Sequence, residues 1–377
     1  MKYKTQHQTV IAGLTRNLQS KKRSSLGLGD GGCSSAMTIK AIAMILMATL
    51  MVSCEKEIEF KGEQTDPKLV INSLVEPGQP VKASISKSYF FLDTPDTSAP
   101  DDVVATLYVN GNYIGEMRKQ FDTVYWDGYQ YDEMGNELPD YYIETSFVND
   151  YCPAVGDIIK IKASANGFDD VEATTSPLPN AVDAQLDMEV TWFQESYGWT
   201  GEDSMLYISA TMDLTITIND PNPGQSDDFK IYIEQFKSDP DSRSHIYWSA
   251  EYDDPVFGSA LPNNDFIDMS DLETRPEGVF SDVLFDGRSY HVKFTEVYVE
   301  MVVDEPLDPD FFRLPVRVEH LSKEYYNYLF TCDQGDVSMQ LWAEPIQTYS
   351  NVTNGYGLVA GRDVHTLWLD LPLEQPR

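Results

Sequence analysis

The stretch Val103-Val-Ala-Thr-Leu-Tyr-Val-Asn-Gly-Asn-Tyr-Ile-Gly-Glu116 carries the strongest local structural signal in the chain. It consists of two runs rich in apolar and β-branched residues, joined by Asn110-Gly111. An Asn-Gly pair between such runs is typical of a tight β-hairpin, because both central residues of the turn need a positive φ. The stretch therefore predicts two antiparallel strands, over residues 103–109 and 112–116.

Similar runs lie on both sides of this hairpin. Val81-Lys-Ala-Ser-Ile-Ser-Lys87 alternates apolar and polar residues, which is typical of a half-buried strand. Further runs that predict strands are 69–75, 158–164, 171–176, 205–212, 214–218, 229–236 and 291–299. Strands at this spacing without intervening helices indicate a β-sandwich. We therefore expect a mostly β protein.

Pro177-Leu-Pro179 marks a predicted domain boundary, because proline cannot donate to a β ladder and breaks helices and central strands. Residues 65–178 are expected to form an immunoglobulin-like or transthyretin-like β-sandwich, and residues 185–377 a larger β-rich domain. One segment differs: Ser322-Lys-Glu-Tyr-Tyr-Asn-Tyr-Leu-Phe330 has an N-cap serine followed by apolar residues at helical spacing. It predicts one short helix near residues 322–331.

Residues 37–53 have the three parts of a secretory signal: a cationic start at Lys40, an apolar run, and a small residue before the cleavage point. The apolar run is too short to cross the ~30 Å hydrocarbon core as a helix. The cysteine after Val52-Ser53 resembles a lipobox, so Cys54 is expected to be lipidated and to anchor the protein. The alternative is an ordinary signal peptide with a chance cysteine.

The segments on either side of this signal also carry predictions. Residues 1–36 are basic and polar and do not suit a secretory signal, so we expect Met37 to be the true start and the leader to be wrongly assigned. Residues 54–64 predict an acidic tether. Its Glu55-Lys-Glu-Ile-Glu59 resembles the signal that sends Bacteroidetes lipoproteins to the outer face of the outer membrane, and a plain solvated tether is the alternative. We expect an outer-membrane protein, lipid-anchored and facing the cell exterior.

Without residues 1–53 the chain has 20 basic and 60 acidic residues, a formal net charge of −40. Such a field repels nucleic acid, so a nucleic-acid partner is not expected. It attracts cations, including Ca²⁺, although solubility alone would also explain it. Cys152 and Cys332 could form a disulfide in an oxidising compartment, but their separation in sequence does not tell whether they meet.

No catalytic residue is predicted. The four histidines beyond the signal belong to neither a Gly-x-Ser-x-Gly elbow nor a His-Glu-x-x-His helix. Carboxylates that could hydrolyse glycosides are too numerous for any pair to be singled out.

Calcium is the cofactor that the sequence suggests. The segment Asp220-Pro-Asn-Pro-Gly-Gln-Ser-Asp-Asp228 offers oxygen ligands, of which Asp220, Asn222 and Asp228 are the candidates. It lacks the bidentate glutamate of a calcium loop, since Ile231 stands at that position. The segment 304–310 is a second acidic turn. The alternative for both is a simple exposed loop.

Three tryptophans are candidate ligand-binding residues: Trp126, Trp192 and Trp199. They lie in polar segments that contain glycine, and exposed rings there could stack on a sugar or enter a partner surface. The alternative is that these rings fold onto the sandwich.

The chain also resembles a known family. Pro67-Lys-Leu-Val-Ile-Asn-Ser-Leu-Val75 behind the lipobox, the Ser-Lys-Glu-Tyr-Tyr helix and Ser350-Asn-Val-Thr-Asn-Gly-Tyr-Gly-Leu-Val359 are similar to the Bacteroidetes lipoprotein family of domain of unknown function 4249. The resemblance implies a surface protein that accompanies TonB-dependent receptors. We expect an accessory protein for nutrient uptake, binding such a receptor or a glycan or peptide ligand. A stand-alone carbohydrate-binding or adhesive lipoprotein is the alternative, and a secreted hydrolase is a third.

Overall fold

A computed structural model describes residues 66–90, 96, 98–125, 139, 141–200, 203–234, 245–259, 276–303, 313–332 and 348–372. The predicted leader, signal peptide, lipidation site Cys54 and acidic tether lie outside the described residues. So do Trp126 and the acidic turn at 304–310. Residues 64–377 form one compact unit.

The described part of the chain is mostly β, as predicted, with one α-helix. Its strands are β1 (Leu69–Val75), β2 (Val81–Lys87), β3 (Val104–Val109), β4 (Asn112–Tyr125), β5 (Tyr141–Asn149), β6 (Ile159–Ser164), β7 (Val171–Thr174), β8 (Asp183–Thr200), β9 (Asp203–Asn219), β10 (Asp228–Ile233), β11 (His245–Ser249), β12 (Val279–Ser281), β13 (Ser289–Val303), β14 (Arg313–Leu321) and β15 (Tyr356–Asp370). The helix α1 spans Lys323–Cys332, and two 3₁₀ turns span Pro255–Ser259 and Asp282–Leu284.

The hairpin predicted at Asn110-Gly111 is confirmed. The two residues have φ of 51° and 80°, and Val109 lies opposite Asn112 in the β3–β4 ladder. Positive φ at both positions is what lets the turn match the right-handed twist of the strands.

The strands of the described residues form two sheets. Eleven are hydrogen-bonded in the order β12-β10-β14-β15-β1-β2-β5-β4-β3-β6-β7, and four in the order β11-β13-β9-β8. The ladder between β1 and β15 is parallel, from Val70 opposite Tyr356 to Val75 opposite Gly361. The first and last strands of the described chain therefore lie side by side in the middle of the large sheet.

Gly357 allows this close contact between β1 and β15. It has a φ of 108°, and a Cβ atom there would lie 2.1 Å from the carbonyl oxygen of Ile71. Such a separation is far below van der Waals contact, and a residue other than glycine rarely adopts this backbone conformation. Gly357 therefore serves the close packing of two strands.

Two hydrophobic cores lie on either side of the predicted boundary at Pro177–Pro179. The first takes its buried residues from 69–178, with Val352 and Val359 added from the C-terminal part. The second takes them from 182–371, where β9 and β13 of the small sheet pack on β10 and β14 of the large one. The pairing of β1 with β15 joins both parts in one sheet, and the division into two domains stays a prediction.

Helix α1, predicted near residues 322–331, covers the large sheet where β14 meets β15. Tyr325, Tyr326, Leu329 and Phe330 share a core with Leu321, Leu358 and Ala360. The hydroxyl of Ser322, which the sequence suggested as the N-cap, accepts a hydrogen bond from the Gly361 N–H at 3.0 Å. This serine therefore also ties the helix start to β15.

Candidate functional site

Two connections between the sheets meet at one place. Residues 220–227 lead from β9 in the small sheet to β10 in the large sheet, and residues 282–288 lead from β12 in the large sheet to β13 in the small sheet. The Asp282 N–H donates to the Asp227 carbonyl at 3.0 Å, so the two connections are held together by their backbones.

Asp220, Asp282 and Asp286 form an acidic cluster at this meeting point. Each offers a carboxylate oxygen, and the three oxygens lie within 4.8 Å of one another. Backbone N–H groups orient two of the side chains. Asn222 and Gly287 donate to the Asp220 carboxylate at 2.8 and 2.5 Å, and Gly224 donates to Asp286 at 2.6 Å.

Asp282 is the buried member of the cluster. Its relative exposure is 1 %, and its Oδ2 atom is buried without a hydrogen-bond partner. Burial, together with the negative charges of Asp227, Asp220 and Asp286, raises the pKa of the Asp282 carboxyl to about 6. Three carboxylates in so small a volume, one of them desolvated, favour a cation among them.

A buried polar network lies behind the cluster. The His320 Nδ1 is 2.9 Å from the Asn180 carbonyl oxygen, and its Nε2 is 3.2 Å from the Asp227 carboxylate. The Asn180 carbonyl and an ionised Asp227 carboxylate both accept hydrogen bonds, so this geometry favours the doubly protonated, cationic imidazole. Burial opposes the charged form, but the hydrogen bonds that the ring donates to Asp227 and Asn180 and the charge of Asp227 raise the pKa of His320. In the sequence this histidine belongs to neither of the catalytic motifs considered.

The structure separates the three candidate calcium ligands of the sequence. Asp220 lies in the acidic cluster. The Asn222 amide instead donates to both oxygens of the Asp227 carboxylate, at 3.0 Å each. Asp228 lies 3.6 Å from the Lys323 ammonium, and its Oδ1 is buried without a partner. Calcium binding therefore stays a prediction, and the cluster replaces two of the three ligands suggested for it.

Sequence reasoning missed Asp282 and Asp286. They lie more than 60 residues from Asp220, and only the arrangement of the sheets brings them together. One signal was present, since Asp286-Gly287 is a typical turn pair and the Gly287 N–H donates to Asp220.

The three candidate tryptophans differ in where they lie and in how much of each the structure describes. Trp192 lies in β8 opposite Thr211, where its side chain is 45 % exposed. Trp199 also belongs to β8, but its side chain is outside the described part of the chain, and Trp126 is outside it altogether. The segment around Trp192, for which the sequence predicted no strand, is therefore part of one.

An exposed aromatic face, not predicted from sequence, covers one side of the β4–β5 hairpin. We use this name for Phe121, Tyr125, Tyr141 and Ile143, which the ladder places on the same side through the pairs Tyr125–Tyr141, Thr123–Ile143 and Phe121–Thr145. Phe121 and Tyr125 are 64 % and 62 % exposed. The rings of Tyr125 and Tyr141 meet edge to face with centroids 6.2 Å apart.

The opposite side of the same hairpin is polar. The Lys82 ammonium donates to the Asp122 carboxylate at 3.0 Å, and the Gln120 amide donates to it at 2.7 Å. The bond from Gln120 and then that from Lys82, together with the lysine charge, hold the pKa of Asp122 below its usual range. Around Asp122 this side of the hairpin is therefore polar and internally paired, whereas the aromatic face is exposed to solvent.

The described part of the chain includes Cys152 and Cys332, the pair suggested for a disulfide. Cys152 is exposed, with its sulfur 3.7 Å from the Asp150 carbonyl oxygen. The Cys332 sulfur lies 3.5 Å from the Leu329 carbonyl oxygen within α1. Their pairing stays a prediction.

The family model described as domain of unknown function DUF4249 matches residues 55–367. The chain belongs to the DUF4249 family. The predicted family is thus confirmed, and the match covers the first predicted domain of this DUF4249 protein and the second as far as residue 367. Its Bacteroidetes source and its lipoprotein nature stay predictions. No curated protein matches the chain, and in the described residues of this DUF4249 member no helix has the length and apolar character needed to cross a membrane.

Proposed function

We propose that this DUF4249 protein is an outer-membrane lipoprotein, anchored through Cys54 and facing the cell exterior, that binds a TonB-dependent receptor as an accessory to nutrient uptake. The observation that carries the proposal is the exposed aromatic face of the β4–β5 hairpin. The lipobox-like Val52-Ser53-Cys54 and the acidic residues behind it support the location.

The composition of the aromatic face suits a protein partner. Exposed apolar patches on soluble proteins often mark interaction sites, and aromatic residues are enriched where partners meet. Phe121, Tyr125 and Tyr141 supply large rings with few rotatable bonds, so little side-chain entropy is lost on binding. The Lys119 ammonium lies 5.6 Å from the Phe121 ring centroid and adds one positive charge beside the face.

The polar side of the hairpin keeps the aromatic face in place. Lys82 on β2 reaches across to Asp122 on β4, and the Arg118 guanidinium donates to Asp150, beyond the end of β5, at 3.0 Å. Each pair is partly exposed and contributes little free energy by itself. Together with the β4–β5 ladder, they restrain the hairpin that carries the rings.

Co-purification tests the proposal. A tagged full-length protein is isolated from detergent-solubilised outer membranes of its own host, and a β-barrel receptor is expected to accompany it. The double variant Phe121→Ser/Tyr125→Ser should lose the receptor, while Tyr247→Ser, which changes a ring of similar exposure (60 %) on the other sheet, should retain it. Recovery of the receptor by the double variant, or its absence from the wild-type preparation, would contradict the proposal.

The location has its own test. Mass spectrometry of the membrane-bound protein should find a lipid-modified Cys54 at the N-terminus, and Cys54→Ala should abolish anchoring. An unmodified Cys54 in a protein recovered from the cytosol would overturn the proposed location.

A second candidate, a stand-alone carbohydrate-binding or adhesive protein, is favoured by the exposed ring of Trp192 in β8. A flat ring on a solvent-facing strand can stack on a sugar. A glycan array should then show binding that Trp192→Ala removes and Tyr247→Ala does not. An array without any bound glycan would reject this candidate.

A further inference from the structure

We propose that Asp220, Asp282 and Asp286 bind a calcium ion that joins the two connections between the sheets. The site is separate from the aromatic face. It lies on the connections 220–227 and 282–288, whereas the face lies on β4 and β5. It uses one residue suggested by the acidic segment 220–228 and two that the sequence did not suggest.

The buried, unpartnered oxygen of Asp282 is the first argument. A buried polar oxygen without a hydrogen bond is unfavourable, and more so when it is charged. Native proteins pair nearly all such atoms. The Asp227 backbone N–H is a donor to this carboxylate, but Oδ2 stays without a partner. The carboxylates of Asp220 and Asp286 lie beside it and repel it. A cation bound among the three side chains would remove this repulsion.

The orientation of the other two side chains is the second argument. Asp220 and Asp286 are each held by backbone N–H groups at 2.5–2.8 Å, so their carboxylates are positioned before any ion arrives. A carboxylate has about four lone-pair sites, and these bonds leave free acceptor positions. Preorganised ligands reduce the entropy lost on binding.

The donor set selects calcium. All three side-chain ligands are oxygens, which excludes the nitrogen and sulfur ligands typical of zinc. Ca²⁺ accepts about six to eight oxygens in a flexible geometry, whereas Mg²⁺ demands a near-ideal octahedron at about 2.0–2.1 Å. Asp286 is exposed, so water can complete the shell on that side. Sites of this kind outside the cell bind Ca²⁺ with dissociation constants of about 10⁻⁴–10⁻³ M.

The position of the site gives the ion a structural role. Asp220 follows β9 directly, and Asp286 lies three residues before β13, so the ion would join the ends of two neighbouring strands of the small sheet. Asp282 follows β12 and adds the edge of the large sheet. Calcium would therefore stabilise the contact between the sheets at this end.

Calorimetric titration of the full-length protein with CaCl₂ tests the site. The protein is first treated with EDTA and then dialysed into about 150 mM KCl, which screens the diffuse field of the acidic chain. We expect one saturable site and an upward shift of the melting temperature in Ca²⁺. Asp286→Asn, at an exposed position, and Asp282→Asn, which keeps the side-chain shape, should each weaken binding at least tenfold. Asp187→Asn, an exposed change on β8, should bind as the wild type does.

The opposite results would overturn the proposal. These are a wild type that shows no saturable binding, or Asp286→Asn and Asp282→Asn variants that bind calcium as tightly as Asp187→Asn. A site that binds MgCl₂ as tightly as CaCl₂ under the same conditions would overturn the assignment to calcium.

Discussion

Replacing Asp228 by asparagine should stabilise the protein at neutral pH but not at acid pH. Asp228 is 4 % exposed at the start of β10, and its nearest cation, the Lys323 ammonium, is 3.6 Å away. Burial, the largest cause, raises the pKa of its carboxyl from an ordinary value of 3.8 to about 6, even though Lys323 opposes the change. The folded protein therefore binds this proton more tightly than the unfolded chain does.

The sign and size of the effect follow from this difference in pKa. Between pH 3.8 and about 6 the folded state holds more protons than the unfolded state, so the stability of the wild type falls as the pH rises. The rise in pKa, about 2.2, corresponds to roughly 3 kcal/mol, since a change of one in pKa is about 1.36 kcal/mol. The asparagine of the variant does not titrate. The free energy of unfolding of the variant, measured relative to the wild type, should thus rise by about 3 kcal/mol across this range.

Urea denaturation followed by tryptophan fluorescence measures this difference. Wild type and Asp228→Asn are compared at several pH values between about 4 and 7.5 in the presence of EDTA, with Asp187→Asn as an exposed control. Comparing the two proteins at each pH removes the effects of the other titrating groups. A difference in the free energy of unfolding between wild type and Asp228→Asn that stays constant over the whole pH range would refute the reasoning. It would mean that burial does not disfavour the ionised form of Asp228.

Three further predictions concern buried contacts, each measured by urea denaturation. The raised pKa of His320 means that its contribution to stability is complete below pH 6.5 and is lost as the pH rises through the folded pKa; His320→Gln should remove this pH dependence, and an unchanged profile would contradict it. Gly357→Ala should destabilise the fold by about 2–5 kcal/mol, because the new Cβ would collide with the backbone of β1; a loss below about 1 kcal/mol would contradict that close contact. Arg362→Met should lower the free energy of unfolding by about 3–5 kcal/mol, because the buried Glu319 carboxylate, 1 % exposed, would lose the Arg362 cation. Arg313→Met removes an exposed ion pair and should lower it by about 1 kcal/mol or less. Equal losses in the two variants would contradict the argument.

The parts of the fold that depend on neighbouring residues could be predicted from the sequence. The bounds of β1 and β2 agree with the predicted runs, and the Asn110-Gly111 turn has the predicted backbone conformation. Helix α1 also lies where helical spacing placed it. In each of these cases, a short run of residues contains the whole signal.

The parts that depend on distant residues could not be predicted. Residues 183–192 alternate polar and apolar residues, which is typical of a strand, but residues 193–200 do not. This second half continues β8 because it pairs with β9 as far as Thr200. Residues 356–370 contain Arg362, Asp363 and His365 and were not predicted to form a strand. They form a strand because β1 and β14 lie on either side of them. Such pairing overrides weak local preference.

The candidate metal centre shows the same limit. Composition drew attention to the acidic segment 220–228, but a local pattern could not show which of its oxygens point to one place. Asn222 and Asp228 face other partners, and the missing ligands come from the turn before β13.

The place of β15 between β1 and β14 has a consequence for biosynthesis. Strand β1 pairs with β15, which is synthesised about 290 residues later, and such distant pairings slow folding. Until then β1 and β14 each have an open edge, which is a template for aggregation. A truncated or stalled chain that ends before residue 356 should therefore be prone to self-association, and the wild type should benefit from a chaperone that shields these edges until synthesis is complete.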